Sequence, residues 1–472
     1  MYRFALLIPV LALMGCGSKS EQPSSTGAVP LSIKSPVSRQ PDETSKSDIT
    51  QPVENKAVEN LLANAQTAIS AGQYATAIES LSQAIGIDTR DARLFEKRAE
   101  VYVLLGENAN ARADLSMAIQ ADPNNAELYN VRGYFLMTHG ASKDAVADFN
   151  KAISLDSNLA AAYNNRGLVS LADKKYEEAE ADFSKAIETD RKYADALNNR
   201  GFVRMKMEQF DSALVDLKQT VKIEPAYATA WNNCGLVHMT QENFALAVDA
   251  FSNAIEHAPL DVRWVNHRRA ALLKLERFDE ASADARRIRW LNDLAALTQN
   301  ASARPTDPKV WLQRATHLAD GAEFIAAIQD YSRALAVDPA NTNALNGRAA
   351  AWLESGELRN AIKDCDQSLI VNATSEAFAL RGDAWFALKD FDQAISDFES
   401  ARRFDDVVAD AYRQRGLAHK SAGRTKEAKA DQQKADEILA GLEGKLTPKS
   451  SPQPIPFPDD ADTQPAESKT DK

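Results

Sequence analysis

A four-residue motif returns at a fixed spacing and constrains the fold more than any other feature of this chain. The letters NNRG occupy residues 164–167 and 198–201, and NNCG occupies 232–235, so each copy begins 34 residues after the last. A period of this length is too long for one helix or strand and is typical of a stacked supersecondary unit. The sequence therefore predicts a repeat protein, which grows by adding units rather than by enlarging one core.

The period extends in both directions from this motif and divides the chain into eleven units. Within a unit, large residues recur at positions 4, 17 and 24 and small residues at positions 8, 20 and 27. This spacing indicates two amphipathic helices that approach closely and bury their apolar faces by stacking on neighbouring units. The predicted units begin at Val58, Ala92, Ala126, Ala160, Ala194, Ala228, Val262, Pro308, Thr342, Ser375 and Ala409.

This pattern of large and small positions resembles the tetratricopeptide repeat (TPR), and the resemblance covers residues 58–442. It implies an all-α fold, a right-handed α-solenoid of about eleven helix pairs whose first helices line a concave channel. We predict seven units over residues 58–295, an insertion over 296–307, and four units with a C-terminal cap over 308–442. The Arg-rich seventh unit is either a docking patch for an acidic partner or a solvated helix face.

The two ends of the chain differ in composition from the repeats. Residues 1–15 contain a short apolar run, too short to span a bilayer, and are predicted to be a signal peptide. Cys16 follows a small residue and resembles the lipidated cysteine of a bacterial lipobox; an ordinary export signal is the alternative. Residues 16–57 and the Pro-rich residues 443–472 have few large apolar side chains, so we predict a disordered tether and a disordered tail.

These features predict a lipid-anchored protein of the bacterial cell envelope, held to the membrane through Cys16. Gly17 and Ser18 do not resemble an inner-membrane retention signal, so we expect the outer membrane, facing the periplasm, if the host has two membranes. The formal net charge of -12 argues against a nucleic-acid partner. The remaining cysteines, Cys234 and Cys365, lie in different units and are predicted to be buried thiols rather than a disulfide.

The sequence shows no motif of catalysis or metal binding. The six His residues lack metal-ligand spacing, and no phosphate-binding glycine loop or nucleophile motif is present. The repeats and the two tails account for the whole chain. We therefore predict that the protein is not an enzyme and that it has no cofactor or metal site.

Arg at position 7 and Asp at position 23 occur together. Nine units carry both residues, and the units that begin at Val58 and Ala228 lack both. Because a guanidinium group can bond both oxygens of a carboxylate, we interpret each pair as a link between the first and second helix; a row of anion-binding arginines is the alternative. The predicted structural ion pairs of the central units are Arg132 with Asp148, Arg166 with Asp182, and Arg200 with Asp216.

Asparagines at positions 5 and 6 are the candidates for contact with a ligand. The amide of Asn donates and accepts hydrogen bonds, so it can bond both polar groups of a peptide backbone. The alternative is that these side chains cap helices or bond neighbouring units, and we expect one of the two sets to be structural. The predicted peptide-binding residues are Asn130, Asn164, Asn165, Asn198, Asn199, Asn232, Asn233 and Asn266, with the position 9 residues Tyr134 and Phe202.

The position 6 residues Asn165, Asn199 and Asn233 resemble the asparagine ladder of O-linked N-acetylglucosamine transferase. The resemblance stops there, because Val131 and His267 interrupt the row on either side. The catalytic domain of the transferase has no counterpart in this chain, so its activity is not implied.

The resemblance to bacterial TPR lipoproteins implies a membrane-anchored adaptor or scaffold. Such a protein would hold a peptide segment or a partner protein in its concave channel, for the assembly of an envelope complex. The alternative is a structural spacer that organises a complex through its outer faces, with no peptide in the channel. The sequence alone does not identify the partner or the oligomeric state.

Overall fold

The computed structural model describes the backbone of residues 51–446 and the side chains of residues 55–442. This part of the chain contains 22 α-helices and no strand, arranged as consecutive helix pairs. The predicted all-α fold of stacked helix pairs is therefore confirmed. The predicted signal peptide, Cys16 and most of the predicted tether and tail lie outside the described residues.

The chain divides into two compact units between Leu291 and Asn292. We call described residues 51–291 the N-terminal block and described residues 292–446 the C-terminal block. The helices that begin in the N-terminal block are α1 (Gln51–Ser70), α2 (Tyr74–Ile87), α3 (Ala92–Leu104), α4 (Asn108–Ala121), α5 (Ala126–Thr138), α6 (Ser142–Leu155), α7 (Ala160–Ala172), α8 (Tyr176–Thr189), α9 (Ala194–Lys206), α10 (Phe210–Ile223), α11 (Ala228–Thr240), α12 (Phe244–His257), α13 (Val262–Lys274) and α14 (Phe278–Ala303).

The C-terminal block begins within α14 and continues with four helix pairs. The predicted insertion at 296–307 also begins inside α14, a helix of 26 residues. The remaining helices are α15 (Pro308–Asp320), α16 (Phe324–Val337), α17 (Thr342–Glu354), α18 (Leu358–Val371), α19 (Ser375–Ala387), α20 (Phe391–Ser400), α21 (Asp406–Ser421) and α22 (Thr425–Leu446).

From Ala92 to Ser375, each predicted unit begins at the first residue of a helix. The first and last units differ. Helix α1 begins at Gln51, before the predicted start at Val58. Helix α21 begins at Asp406, where the side chain of Asp405 accepts a hydrogen bond from the Val408 backbone and caps the helix.

Glycine at position 8 allows the two helices of a unit to touch. A Cβ atom added at Gly167 would lie 2.8 Å from Cε1 of Phe183, which is closer than real Cβ atoms approach. Phe183 itself is fully buried. The large residue at position 24 therefore packs directly on the backbone of the first helix, as the alternation of large and small residues predicts.

Successive first helices also pack on one another. In the N-terminal block α5 packs on α7, α7 on α9, α9 on α11 and α11 on α13; in the C-terminal block α15 packs on α17 and α17 on α19. Within the described residues, successive second helices make no comparable contact. The first helices therefore lie on the inner side of each block. We call the surface formed by positions 5, 6, 9 and 12 of α5, α7, α9 and α11 the inner wall.

The two cysteines of the described region are free and buried, as predicted. Burial raises the pKa of the Cys234 thiol to about 11 and that of the Cys365 thiol to about 12. Of the helices that the structure describes, none combines the length and the apolar character needed to cross a membrane.

Candidate partner-binding site

The asparagines of the inner wall bond one another across the repeats. The Nδ2 atom of each position 6 Asn donates to the Oδ1 atom of the position 5 Asn in the preceding unit, 35 residues earlier. Each of these three bonds is 3.0 Å long, and they join Asn165 to Asn130, Asn199 to Asn164, and Asn233 to Asn198. We call this series of hydrogen bonds the asparagine ladder.

His267 continues the ladder by one step. Its Nδ1 lies 2.8 Å from Oδ1 of Asn232, at the same 35-residue spacing. The prediction that His267 interrupts the row is therefore wrong, because an imidazole N–H donates to an amide oxygen as an Asn side chain does. Burial, followed by the charge of Arg263, lowers the pKa of His267, so the neutral ring is favoured.

The ladder places almost all of the predicted peptide-binding amides inside the wall. Asn164 is 1% exposed and Asn165 is 7% exposed, and only Asn199 is partly exposed among the bonded Asn residues. Asn266 is exposed but donates to the Val262 carbonyl of its own helix. The observed bonds match the structural alternative for both Asn positions, whereas contact of these amides with a peptide stays a prediction.

A row of partly exposed apolar side chains lies beside the ladder. Tyr134, Leu168, Phe202 and Leu236 occupy position 9 of four successive first helices, and each is neither fully buried nor fully exposed. Met137, Leu171, Met205 and Met239 occupy position 12 with similar exposure. Thioether side chains adapt to differently shaped ligands. Partly exposed apolar side chains therefore lie beside the largely buried amides of the ladder in four successive units.

Tyrosines stand next to this row at positions that the sequence reasoning did not consider. Tyr193 and Tyr227 immediately precede α9 and α11, and the hydroxyl of Tyr227 donates to Oδ1 of Asp195 over 2.6 Å. Burial and the charge of Asp195 raise the pKa of Tyr134, Tyr193 and Tyr227. Burial likewise raises the pKa of Asp195. Tyr227 and Asp195 are thus in direct contact, and the electrostatic influence of Asp195 on Tyr134 and Tyr193 indicates that these two tyrosines lie near the pair.

The preceding part of the N-terminal block adds further carboxylates. Glu96, Glu100 and Glu127 are partly buried on α3 and α5, and burial is the main cause of the raised pKa of each. The charges of Glu127 and Glu100 raise the pKa of Glu96 further. Lys97 forms an ion pair with Glu100 at 3.1 Å. Three partly buried carboxylates, one of them paired with Lys97, therefore lie on these two first helices.

All nine Arg and Asp pairs that the sequence predicts are present in the structure. In each pair the Nε and Nη2 atoms of Arg donate to the two carboxylate oxygens of the Asp 16 residues later, on the second helix of the same unit. The pairs of the central units join Arg132 to Asp148, Arg166 to Asp182, and Arg200 to Asp216.

The third nitrogen of these arginines makes a contact that sequence reasoning missed. Nη1 of Arg200 donates to the hydroxyl of Ser184, and Nη1 of Arg166 donates to Oδ1 of Asn150. Both acceptors lie on the second helix of the preceding unit. One Arg side chain therefore links three helices, two of its own unit and one of the unit before. A polar residue recurring at position 25 was the signal for this contact.

The sixth unit replaces this link by apolar contacts. Cys234 stands at the Arg position and Ala250 at the Asp position, and both are buried in one apolar cluster. Lys218 stands where the preceding unit would offer an acceptor and is exposed. His238, which is buried on the same helix, has an Nδ1 atom without a hydrogen-bond partner. The Arg, the Asp and the acceptor on the preceding unit are therefore all replaced at the sixth unit.

The inner side of the C-terminal block carries only a fragment of the ladder. Asn346 occupies position 5, but the following unit has Leu380 at position 6 instead of an Asn. The Nδ2 atom of Asn346 donates to Glu376 over 2.9 Å, and its buried Oδ1 atom has no hydrogen-bond partner. The loss of one donor therefore leaves the acceptor of the preceding unit unsatisfied.

Four arginines of the seventh unit have partners within the chain, whereas the buried Nε atom of Arg269 has no hydrogen-bond partner among the described residues. Arg263 bonds Asp261 and stacks on Trp264, Arg268 pairs with Asp284, Arg277 pairs with Glu280, and Arg287 bonds the Pro259 carbonyl. These contacts support the interpretation of a solvated helix face. In the part of the chain with described side chains, no group of three or more His, Cys, Asp or Glu residues is placed to hold a metal ion.

The helix pairs, the glycine contacts and the inner wall define a scaffold of stacked helix pairs. Six matches to the TPR family model cover more than half of the chain, at residues 62–126, 97–160, 131–196, 199–262, 233–293 and 312–379. The chain therefore belongs to the tetratricopeptide repeat family. Proteins of this family bind protein or peptide partners.

Several solved structures share the repeat. MamA is 27% identical, with 34% of this chain and 94% of MamA covered at a TM-score of 0.32. PilF of Pseudomonas aeruginosa is 20% identical, with 42% and 89% covered at a TM-score of 0.38. YrrB, a TPR protein with an unusual peptide-binding site, is 23% identical, with 38% and 95% covered at a TM-score of 0.31. No curated protein matches the chain.

Proposed function

We propose that the protein is a non-catalytic adaptor of the cell envelope that holds an extended segment of a partner protein against its inner wall. The observation that carries this proposal is the apolar row at positions 9 and 12, which is present in four successive units and is partly exposed in each. Binding of a partner over such a surface lowers the free energy, because apolar surface area is removed from water. Family membership supports the same kind of partner.

The spacing of the wall suits an extended segment. Adjacent packed helices lie about 8–10 Å apart, and an extended chain advances about 3.3 Å per residue. One partner residue in about three therefore meets a new first helix. The ladder supports this use because its bonds fix successive first helices to one another, so the wall is ordered before a partner arrives. Such preorganisation reduces the entropy lost on binding.

Anchoring is the part of the proposal that rests on sequence alone. A lipobox-like Cys16 after a short apolar run would attach the protein to the membrane, and the following 16–57 segment would act as a tether. Metabolic labelling with an alkyne-bearing fatty acid tests this directly. We expect label on the wild-type protein and none on Cys16→Ser, which should also leave the membrane fraction. Equal labelling of both proteins would contradict the anchor.

A second candidate function is supported by exposed apolar residues on the second helices. Val215 on α10 is 68% exposed and Leu246 on α12 is 52% exposed, and neither lies on the inner wall. A spacer that binds partners through its outer faces would use such residues. The two candidates thus predict that different surfaces carry the partner.

The deciding experiment compares matched variants of the two surfaces in the full chain. The wall variant is Leu168→Ala with Phe202→Ala, and the outer variant is Val215→Ala with Leu246→Ala. Partners cross-linked in intact cells are quantified by mass spectrometry for each variant. Partner loss in the wall variant alone supports the channel adaptor, and loss in the outer variant alone supports the spacer. Thermal unfolding of both variants checks that the repeats remain folded.

A further inference from the structure

Three of the four first helices of the inner wall, α7, α9 and α11, begin without the side-chain cap that most first helices of the array have. At the residue before the first helix, Asp91, Asn125, Asp261 and Asp307 each accept a hydrogen bond from a backbone N–H of the first turn. Tyr193 and Tyr227 occupy this residue before α9 and α11 and make no such bond. Leu159, before α7, is also uncapped.

Each missing cap weakens its helix by about 1 kcal/mol. Departures from a local rule are expected where function requires a particular side chain. Here the same residue position supplies two phenol rings to the inner wall. Two neighbouring units therefore have a tyrosine near Tyr134 and Asp195 at the position where other units have a capping side chain.

The cluster has hydrogen-bonding capacity that the protein does not use. Asp195 accepts one bond, from Tyr227, and has no ion pair with a described residue. Among the described side chains, neither Tyr134 nor Tyr193 has a hydrogen-bond partner for its hydroxyl. One carboxylate oxygen and two hydroxyl groups are thus available beside three aromatic rings.

The chemistry of this cluster selects a cation. An anionic group would be repelled by Asp195, and a purely apolar group would cover a carboxylate that has no counter-ion, at a cost in desolvation. An ammonium or guanidinium group can donate to the carboxylate and also lie against the electron-rich ring faces. The adjoining first helices α3 and α5 add the partly buried carboxyl groups of Glu96, Glu100 and Glu127, of which Glu100 is paired with Lys97.

We propose that Tyr134, Tyr193, Tyr227 and Asp195 form a cage for one Lys or Arg side chain of the partner segment. This inference rests on the proposed function, because it places a cationic residue of the same segment at a defined point of the inner wall. We call these four residues the tyrosine cage. The apolar row next to the cage then contacts the neighbouring apolar residues of that segment.

A synthetic decapeptide library tests the cage with a defined probe. One position is fixed as Lys, Arg, norleucine or Glu, and the other positions are random. Each mixture is captured on the immobilised full chain and quantified. We expect the Lys and Arg mixtures to be retained about three- to tenfold more than the norleucine mixture, and the Glu mixture least. Norleucine is the matched control because it keeps the length of Lys without its charge.

Variants separate the cage from general electrostatic attraction. Asp195→Asn keeps an oxygen for Tyr227 and should bring the ratio of Lys to norleucine retention close to one, without reducing retention of norleucine. Asp211→Asn is the matched control, because Asp211 also lies in the first turn of a helix, α10, and is exposed. It changes the net charge equally and should leave the ratio unchanged.

A stability readout adds an independent arm. Tyr193→Asn restores a capping side chain, so it should raise the midpoint of thermal unfolding while the Lys preference falls. Equal retention of the Lys and norleucine mixtures by the wild-type chain would overturn the cage and leave peptide binding intact. Retention of none of the mixtures would overturn both the cage and the proposed function.

Discussion

The two blocks share the contacts within a unit and differ in the contacts between their first helices. Bidentate Arg and Asp pairs occur in both, for example Arg166 with Asp182 and Arg348 with Asp364. The asparagine ladder runs only through the N-terminal block, whereas Asn346 of the C-terminal block has lost its donor. The link between the helices of one unit is thus common to both blocks, whereas units also stack without the ladder.

This difference indicates that hydrogen bonds between successive first helices stabilise the inner surface of the N-terminal block more than that of the C-terminal block. The apolar row and the Asn residues of the ladder lie on the first helices of the third to sixth units, and His267 extends the ladder into the seventh. In the tyrosine cage, Tyr134 and Asp195 lie on two of these helices, and Tyr193 and Tyr227 immediately precede α9 and α11. In the C-terminal block, Tyr331 at position 24 extends its hydroxyl to Thr316, and a Cβ at Gly347 would lie 2.6 Å from it. Tyr331 therefore occupies the space beside position 6 of α17, where the central units of the N-terminal block have an Asn. We therefore expect partner contacts to concentrate in the N-terminal block.

The largest expected effect tests what the blocks share. Asp182→Ala and Asp364→Ala should each destabilise the protein by about 2–3 kcal/mol, because each leaves a partly buried Arg without its carboxylate. Double-mutant cycles with Arg166→Ala and Arg348→Ala should give similar coupling energies in denaturant unfolding. A coupling in one block alone would show that the link is not a common requirement of the repeat.

Asn165→Leu should leave Oδ1 of Asn130 without a donor, as Leu380 leaves Oδ1 of Asn346 without one in the C-terminal block. It removes the donor to Oδ1 of Asn130, which is itself 8% exposed, and should cost about 2 kcal/mol in denaturant unfolding. The matched control is Asn266→Leu at an exposed position, which should change stability by no more than about 0.5 kcal/mol. Equal effects at the two sites would mean that the ladder does not stabilise the wall.

Leu380→Asn is the reverse change and should have a smaller effect. The new amide can donate to Oδ1 of Asn346, but the apolar contacts of Leu380 around Cys365 and Trp352 are lost. We expect a net gain of about 0.5 kcal/mol, and a variant about 1–2 kcal/mol more stable than Leu380→Ala, which loses the same contacts without adding a donor. Equal stability of the Asn and Ala variants would exclude a bond to Asn346.

The smallest expected effect is a pH dependence at the end of the ladder. The pKa of His267 is lowered in the folded state, so the unfolded chain binds the proton more readily and stability falls as pH drops below about 6.5. His267→Asn keeps a donor to Asn232 and removes this titration. Its stability relative to the wild type should therefore increase between pH 7 and pH 5, by less than about 1 kcal/mol. A constant difference over this range would contradict the shifted pKa.

The repeat period predicts the fold because packing is the same in every unit. The helix starts from Ala92 to Ser375 and the partner of every position 7 Arg follow from spacing and from joint loss in the sixth unit. Such pairs can be predicted from one sequence because a unit that lacks the Arg also lacks the Asp. The same argument applies to Gly167 and Phe183, where a small residue faces a large one.

The direction of the inner-wall side chains does not follow from the period. Two adjacent Asn residues look equivalent in sequence, and only the rotation of each helix against its neighbour decides that position 6 donates to position 5 of the unit before. The 35-residue spacing of donor and acceptor was the available signal, and it includes His267. The predicted site did not include Tyr193 and Tyr227 because they lie outside the helices. The sequence signal for them was the absence of a capping residue at these two positions.

The contacts between units also give the array a direction. In the asparagine ladder and in the bonds from Arg166 and Arg200, the later unit supplies the N–H group and the earlier unit supplies the oxygen. A nascent chain emerges from its N-terminus, so each new unit meets acceptors that are already in place. The stack therefore behaves like a polymer with distinct head and tail ends. Shortening it from the front leaves donors unused, and shortening it from the back leaves acceptors unused.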